Sequence, residues 1–182
     1  MSIFSLHFQV ILLVAISLML KVGLSSGDFP PSRLMKEICK ETGDYGLAFD
    51  DCVNALAVEP RSSSADMKEL ARIALHLGIK HSIAIRRFLN DRLQNVSEPA
   101  TENAMKQCCD WYEAATDSFK SALGELDVDM MTANYDARIA GDDADNCQSS
   151  LAEGKIVIPV LSNGIINTFS IIATVVTDHL YH

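Results

Sequence analysis

The chain has 182 residues, 48% hydrophobic and 21% charged, with 15 Lys and Arg against 24 Asp and Glu for a formal charge of −9. That length holds one domain with a full core. The acidic balance argues against nucleic acid and anionic membranes, which demand clustered Lys and Arg, and suits a basic partner or simple solubility.

Residues 1–27 read as a signal peptide. Phe8–Leu20 is almost wholly apolar, Lys21 ends the run short of a comfortable bilayer span, and Gly23, Ser25, Ser26 and Gly27 suit cleavage, although the n-region lacks Lys and Arg. Cleavage removes Lys21 and no carboxylate, so the charge moves from −9 to −10. The expectation is a secreted protein, free of the membrane after cleavage. Its cysteines, at 39, 52, 108, 109 and 147, then sit where disulfides persist.

Pro30-Pro31-Ser32 precedes a short helix over 33–42 carrying Met35, Ile38 and Cys39, broken by Gly43, Asp44 and Gly46. A second short helix is expected over 47–57, with Phe49, Cys52, Val53 and Leu56 apolar. The two could form a hairpin over 28–58 clipped by Cys39–Cys52, a pairing that local spacing leaves open. Glu59–Ser64 is a turn, and Ser63 three residues ahead of Asp66 resembles a capping box for a long helix. That helix carries Leu70, Ile73, Ala74, Leu77, Ala84 and Phe88 on one face, and Ser97-Glu98-Pro99 ends the element.

The next helix, 100–123, steps by 3 and 4 alternately through Met105, Cys108, Tyr112, Ala115, Phe119, Ala122 and Leu126. Another, 130–151, repeats the rhythm with Met130, Ala133, Ala137, Ala140, Ala144, Cys147 and Leu151. Its alanines allow close approach, Cys108 and Cys147 face a common core, and a bond between them is geometrically reasonable. Cys109 is the odd thiol; it reads as a half-buried spectator but could compete with Cys108 for Cys147. After Gly154 and Pro159, Ile165–Leu180 favours strand on propensity and helix on spacing. Helix completes a bundle of four over 62–182, so the expected class is all-α.

Catalytic and metal chemistry find no support. His76 and His81, five apart, lie about 140° apart around a helix and share no face. Asp142, Asp143 and Asp145 lack the spacing of a calcium loop. There is no nucleophile elbow, phosphate loop or dinucleotide fingerprint, so no enzyme and no cofactor are expected. Asn95-Val96-Ser97 is a sequon at a helix end.

Ile38-Cys39-Lys40-Glu41-Thr42 with Cys52-Val53-Asn54-Ala55-Leu56 heads an ordered set of motifs. Glu59-Pro60-Arg61-Ser62 follows, then Cys108 ahead of Tyr112, Ala115 and Phe119, then Ala137 and Ala140 before Cys147. From about Leu34 to Leu180 the set resembles the plant invertase and pectin methylesterase inhibitor family. The resemblance implies a helical hairpin held by Cys39–Cys52 before an up-down four-helix bundle held by Cys108–Cys147. It also implies a non-catalytic protein of the apoplast or cell wall, with the vacuole as the alternative, that occupies the active-site cleft of a carbohydrate-active enzyme. Pectin methylesterase is the expected partner and invertase the alternative, because the Pro-Lys-Phe-like segment of invertase-directed relatives is replaced by Leu126-Asp127-Val128-Asp129-Met130. A third reading is a non-inhibitory bundle module. The expected contacts are Asp110, Glu113, Asp117, Asn134 and Arg138. The helix departs from the family pattern at Arg138, Ile139 and Gly141.

Overall fold

Ser32 accepts a hydrogen bond from the Met35 amide and starts α1, Arg33–Glu41, in a computed structural model that describes residues 30–158 and 164–181. The expected leader over 1–27 and Pro159 lie outside those residues. A 3-10 turn, Thr42–Tyr45, ends at Gly46 with φ +81, the left-handed conformation that glycine adopts without strain. Thr42 is buried beneath the turn, and its hydroxyl donates to the Cys39 carbonyl. α2, Phe49–Ala57, returns alongside, and Cys39–Cys52 closes the hairpin with Cα atoms 5.5 Å apart. Leu47, Cys52, Ala55 and Leu56 are buried, whereas Phe49, expected on the apolar face, is exposed because it opens the helix on its outer side.

A second 3-10 turn, Pro60–Ser63, leads to α3, Met67–Leu93. Here the expected capping box fails. Ser63 is absorbed by the turn and donates to the Pro60 carbonyl, while Asp66 caps α3 by accepting from the Glu69 amide. α4 spans Pro99–Glu125, with Glu98 as its cap and proline at its first position; α5 spans Met130–Glu153, capped by Asp129; α6 spans Ile165–Tyr181.

α3, α4, α5 and α6 run alternately up and down, each packed on the next, and α6 closes the ring on α3. The seams expected on α4 and α5 are buried almost throughout; Met130 alone of them is half-exposed. The α3 seam departs halfway. Ala84 is exposed and Phe88 half-buried; the buried line runs Leu75, Gly78, Ser82, Ile85 and Leu89. Ser82 reaches the core because its hydroxyl donates to the Gly78 carbonyl, 2.9 Å away.

α6 is helical despite its Ile and Val content. α3 and α5 flank it within the ring and the hairpin covers it from outside, so Ile166 and the run Ile172–Thr177 are buried. Tertiary burial outweighs a propensity difference of a few tenths of a kcal/mol per residue. The architecture is all-α with two disulfides and no strand among the described residues.

Candidate functional site

Asp110, Glu113 and Asp117 form one exposed stripe on α4. Glu113 and Asp117 border a groove of about 420 Å³ between α3 and α4, beside Arg86, Arg87 and Lys120. Neither carboxylate is free: Glu113 pairs with Arg86 at 2.6 Å and Asp117 with Lys120 at 2.9 Å. Such exposed pairs contribute at most about 1 kcal/mol and break readily on docking.

Asn134 and Arg138 lie on α5 at the seam with α6. The Asn134 side chain is half-buried, and its Nδ2 stands 3.0 Å from the Thr174 carbonyl and 2.9 Å from both Thr177 Oγ1 and Asp178 Oδ1. Its amide bolts two helices together instead of facing outward. Arg138 is exposed and lines a shallow groove with Tyr45, Asp142, Asp145 and Asn167. In the ring order, the α3–α4 and α5–α6 grooves lie on opposite sides of the bundle. The structure therefore brings Asp110, Glu113 and Asp117 together, and Asn134 with Arg138, but does not join the two groups.

Polarity selected those five residues, and it overlooked three apolar ones. Val128, Met131 and Tyr135 are 82%, 60% and 62% exposed; Val128 stands in the turn before α5, and Met131 and Tyr135 lie on the outward line of α5 that continues to Arg138 and Asp142. The same 3-and-4 spacing that reveals the buried alanine seam would have found this line on the opposite side of the helix.

At the α4–α5 connection, Asp127 pairs with both Lys68 and Arg72 of α3. Hydrogen bonds from those cations hold its carboxyl below the ordinary range, as the Thr132 hydroxyl and amide do for Asp129. Both stay charged in mildly acidic solution. At the hairpin end, Glu41 meets His179 at 2.7 Å and Tyr45 donates to Asp178 at 3.2 Å. His76 is exposed, and His81 stacks on Phe169 with ring centroids 5.3 Å apart; burial, then the Lys80 charge, pushes its pKa down. No cluster of His, Cys, Asp or Glu suited to a metal occurs among the described residues.

Cys108 and Cys147 join α4 to α5 with Cα atoms 4.5 Å apart, and Cys109 is a buried free thiol. Both pairings are those the resemblance implies. A sequence model described as plant invertase/pectin methylesterase inhibitor matches residues 33–178.

The chain belongs to that family.

Members of the plant invertase/pectin methylesterase inhibitor family are inhibitors, and this protein is an inhibitor of that kind, not an enzyme. Its relatives carry both halves of the family name. A protein of Platanus orientalis named "Putative invertase inhibitor" is 31% identical over 131 residues, 70% of this chain and 77% of its own. The pectinesterase inhibitor of Actinidia deliciosa is 28% identical over 129 residues, 70% of this chain and 67% of its own. The crystal structure of a mutant form of an Arabidopsis pectin methylesterase inhibitor has the same fold. It superposes with a TM-score of 0.69 at 23% identity, covering 79% of this chain and 95% of that one. No described helix is long and apolar enough to cross a membrane.

Proposed function

We propose that this protein is secreted and inhibits a pectin methylesterase stoichiometrically, by occluding the cleft that takes the polysaccharide. The observation that carries the choice of target is the α4–α5 connection. It is a tight acidic turn with Asp127 tied to Lys68 and Arg72, in place of a Pro-Lys-Phe segment. The bundle suits occlusion because two disulfides and capped helices leave little order to be gained on binding. A surplus of carboxylates favours a basic enzyme and speeds encounter with it. Of the two groups of expected contacts, the α5 side is the one we assign to the enzyme, with Arg138 exposed there and Asn134 supporting the helix behind it.

A second reading, invertase as the target, has its own support. The Platanus relatives named as invertase inhibitors are 29% and 31% identical over 131 residues, slightly above the pectinesterase inhibitor at 28%.

Titrating the oxidised protein into parallel assays of a plant pectin methylesterase and an acid invertase separates these readings. Stoichiometric loss of de-esterification with invertase untouched is the expected result, and the reverse moves the target to invertase. If neither enzyme responds, both readings of the target fail.

Secretion also implies an N-glycan at Asn95, which is exposed in the α3–α4 connection together with Ser97. Intact mass of protein secreted from a eukaryotic host, with Asn95→Gln as control, is expected to show one glycan. An unmodified mass would remove the site.

A further inference from the structure

Exposed hydrophobic residues scattered singly over a surface need no explanation, but two on one outward line of a helix with a third in the turn before it do. Val128 stands in the α4–α5 turn, Met131 in the first turn of α5 and Tyr135 one turn further along, and each is more than half exposed. Beneath them the opposite side of α5 is alanine packed at 0% exposure (Ala133, Ala137 and Ala140), so the line sits on a rigid support. Among the described residues no hydrogen bond occupies the Tyr135 hydroxyl, and Met131 offers a flexible, polarizable side chain of the type enriched at interface centres. Carboxylates edge the line: Asp129 at its start, Asp136 beside it and exposed Asp142 beyond Arg138. The Thr132 hydroxyl and amide, with the Met131 amide, hydrogen-bond Asp129 and favour its ionised form.

We infer that Val128, Met131 and Tyr135 form the apolar centre of the inhibitory contact, seated in the sugar-binding cleft of the target enzyme. This rests on the function proposed above and names its anchor. The occupant follows from chemistry. A cleft that binds a carboxylate-bearing polysaccharide needs apolar platforms for sugar rings and cations for their carboxylates. An aromatic ring with a free hydroxyl, edged by Asp129, Asp136 and Asp142, presents the same two features on a protein surface. A few central aromatic anchors supply most of the binding energy of such a contact, while the polar rim tunes it.

The test compares the full chain, secreted and oxidised, with its Tyr135→Ala, Met131→Ala and Asp117→Asn variants. Melting temperature and thiol count serve as folding controls, which these exposed positions should leave unchanged. The expected result is a rise in inhibition constant of about tenfold or more for each α5 variant and less than about threefold for Asp117→Asn, on the opposite side of the bundle. Unchanged inhibition by both α5 variants overturns the anchor and leaves the proposed function standing. Wild-type protein that inhibits neither enzyme overturns the function and the anchor with it. A dimer seen by sedimentation that Tyr135→Ala abolishes, with inhibition intact, assigns the line to self-association and also overturns the anchor.

Discussion

Gly78 of α3 faces the ring of Phe119 on α4 so closely that a Cβ at position 78 would stand 2.7 Å from two of its ring carbons. The glycine is there because two helices meet across an aromatic ring with no room for a methyl group. It costs α3 about 1 kcal/mol in helix propensity, which the close packing offsets. Phe119 is fully buried, so its ring has nowhere to swing. Gly78→Ala is therefore expected to lower stability by about 1–2 kcal/mol despite the better propensity, and the melting temperature by about 2–8 °C. Adding Phe119→Leu should recover part of the loss. A Gly78→Ala protein as stable as wild type would show that the helices separate at no cost.

Asn134 supports a second prediction. Its two amide protons are shared among the Thr174 carbonyl, Thr177 Oγ1 and Asp178 Oδ1, and Thr177 is fully buried. Truncation leaves these acceptors on α6 short of a donor. Asn134→Ala is expected to destabilise by about 1–3 kcal/mol in chemical unfolding. Its inhibition constant, measured well below the unfolding transition, should stay close to that of wild type. A large loss of inhibition without loss of stability would instead make Asn134 a direct contact.

What was legible in the sequence follows from these two residues. The seams of α4 and α5 could be read because nearly every inward position is apolar, so hydropathy and burial coincide. The second half of α3 could not, because Gly78 and Ser82 face the core and neither is marked by hydropathy. Asn134 looked like a contact residue because its partner Asp178 lies 44 residues on, and no local pattern reveals a bond of that span. Ser63 and Asp66 are both good caps by type; which one acts was decided by the 3-10 turn that consumes Ser63. The apolar line on α5 was in plain view, but a search guided by charge passed over it.

The neighbouring cysteines make a third prediction. Successive residues on a helix point about 100° apart, so Cys109 cannot take the place of Cys108 opposite Cys147. Burial, partly opposed by the Arg86 charge, pushes the Cys109 thiol above its ordinary pKa and keeps it protonated and inert. Native protein should react slowly with a thiol reagent and yield one thiol on unfolding. Cys108→Ser should leave Cys109 and Cys147 both reduced and cost about 4 kcal/mol, the chain-entropy value for a closed loop of this length. Peptide mapping that found Cys109 bonded to Cys147 in that variant would show that α4 can rotate in the bundle.

Asp143 gives the fourth, a dependence on pH. It is buried on α5 in the interface with α4, where the Ser118 hydroxyl donates to it at 3.4 Å. Burial pushes its carboxyl above the ordinary range and the Asp142 charge adds to this, while the Ser118 bond opposes it. In the unfolded chain the group titrates near about 3.9. Below that value both states hold the proton, and the stabilisation linked to the neutral buried form is fully present. As pH rises through the raised folded value, the folded state must carry a buried charge and the contribution is lost. Asp127 and Asp129 act in the opposite sense: their lowered values favour the folded state above the unfolded pKa and lose that contribution as pH falls through the folded one. Both are exposed and screened, so their effect is the smaller. Asp143→Asn, which keeps the shape and the neutral state, is expected to raise the melting temperature at about pH 7 and to change it little at about pH 3.5. A shift of equal size at both values would mean that the carboxylate finds enough solvent to titrate normally, and that packing alone separates the two proteins.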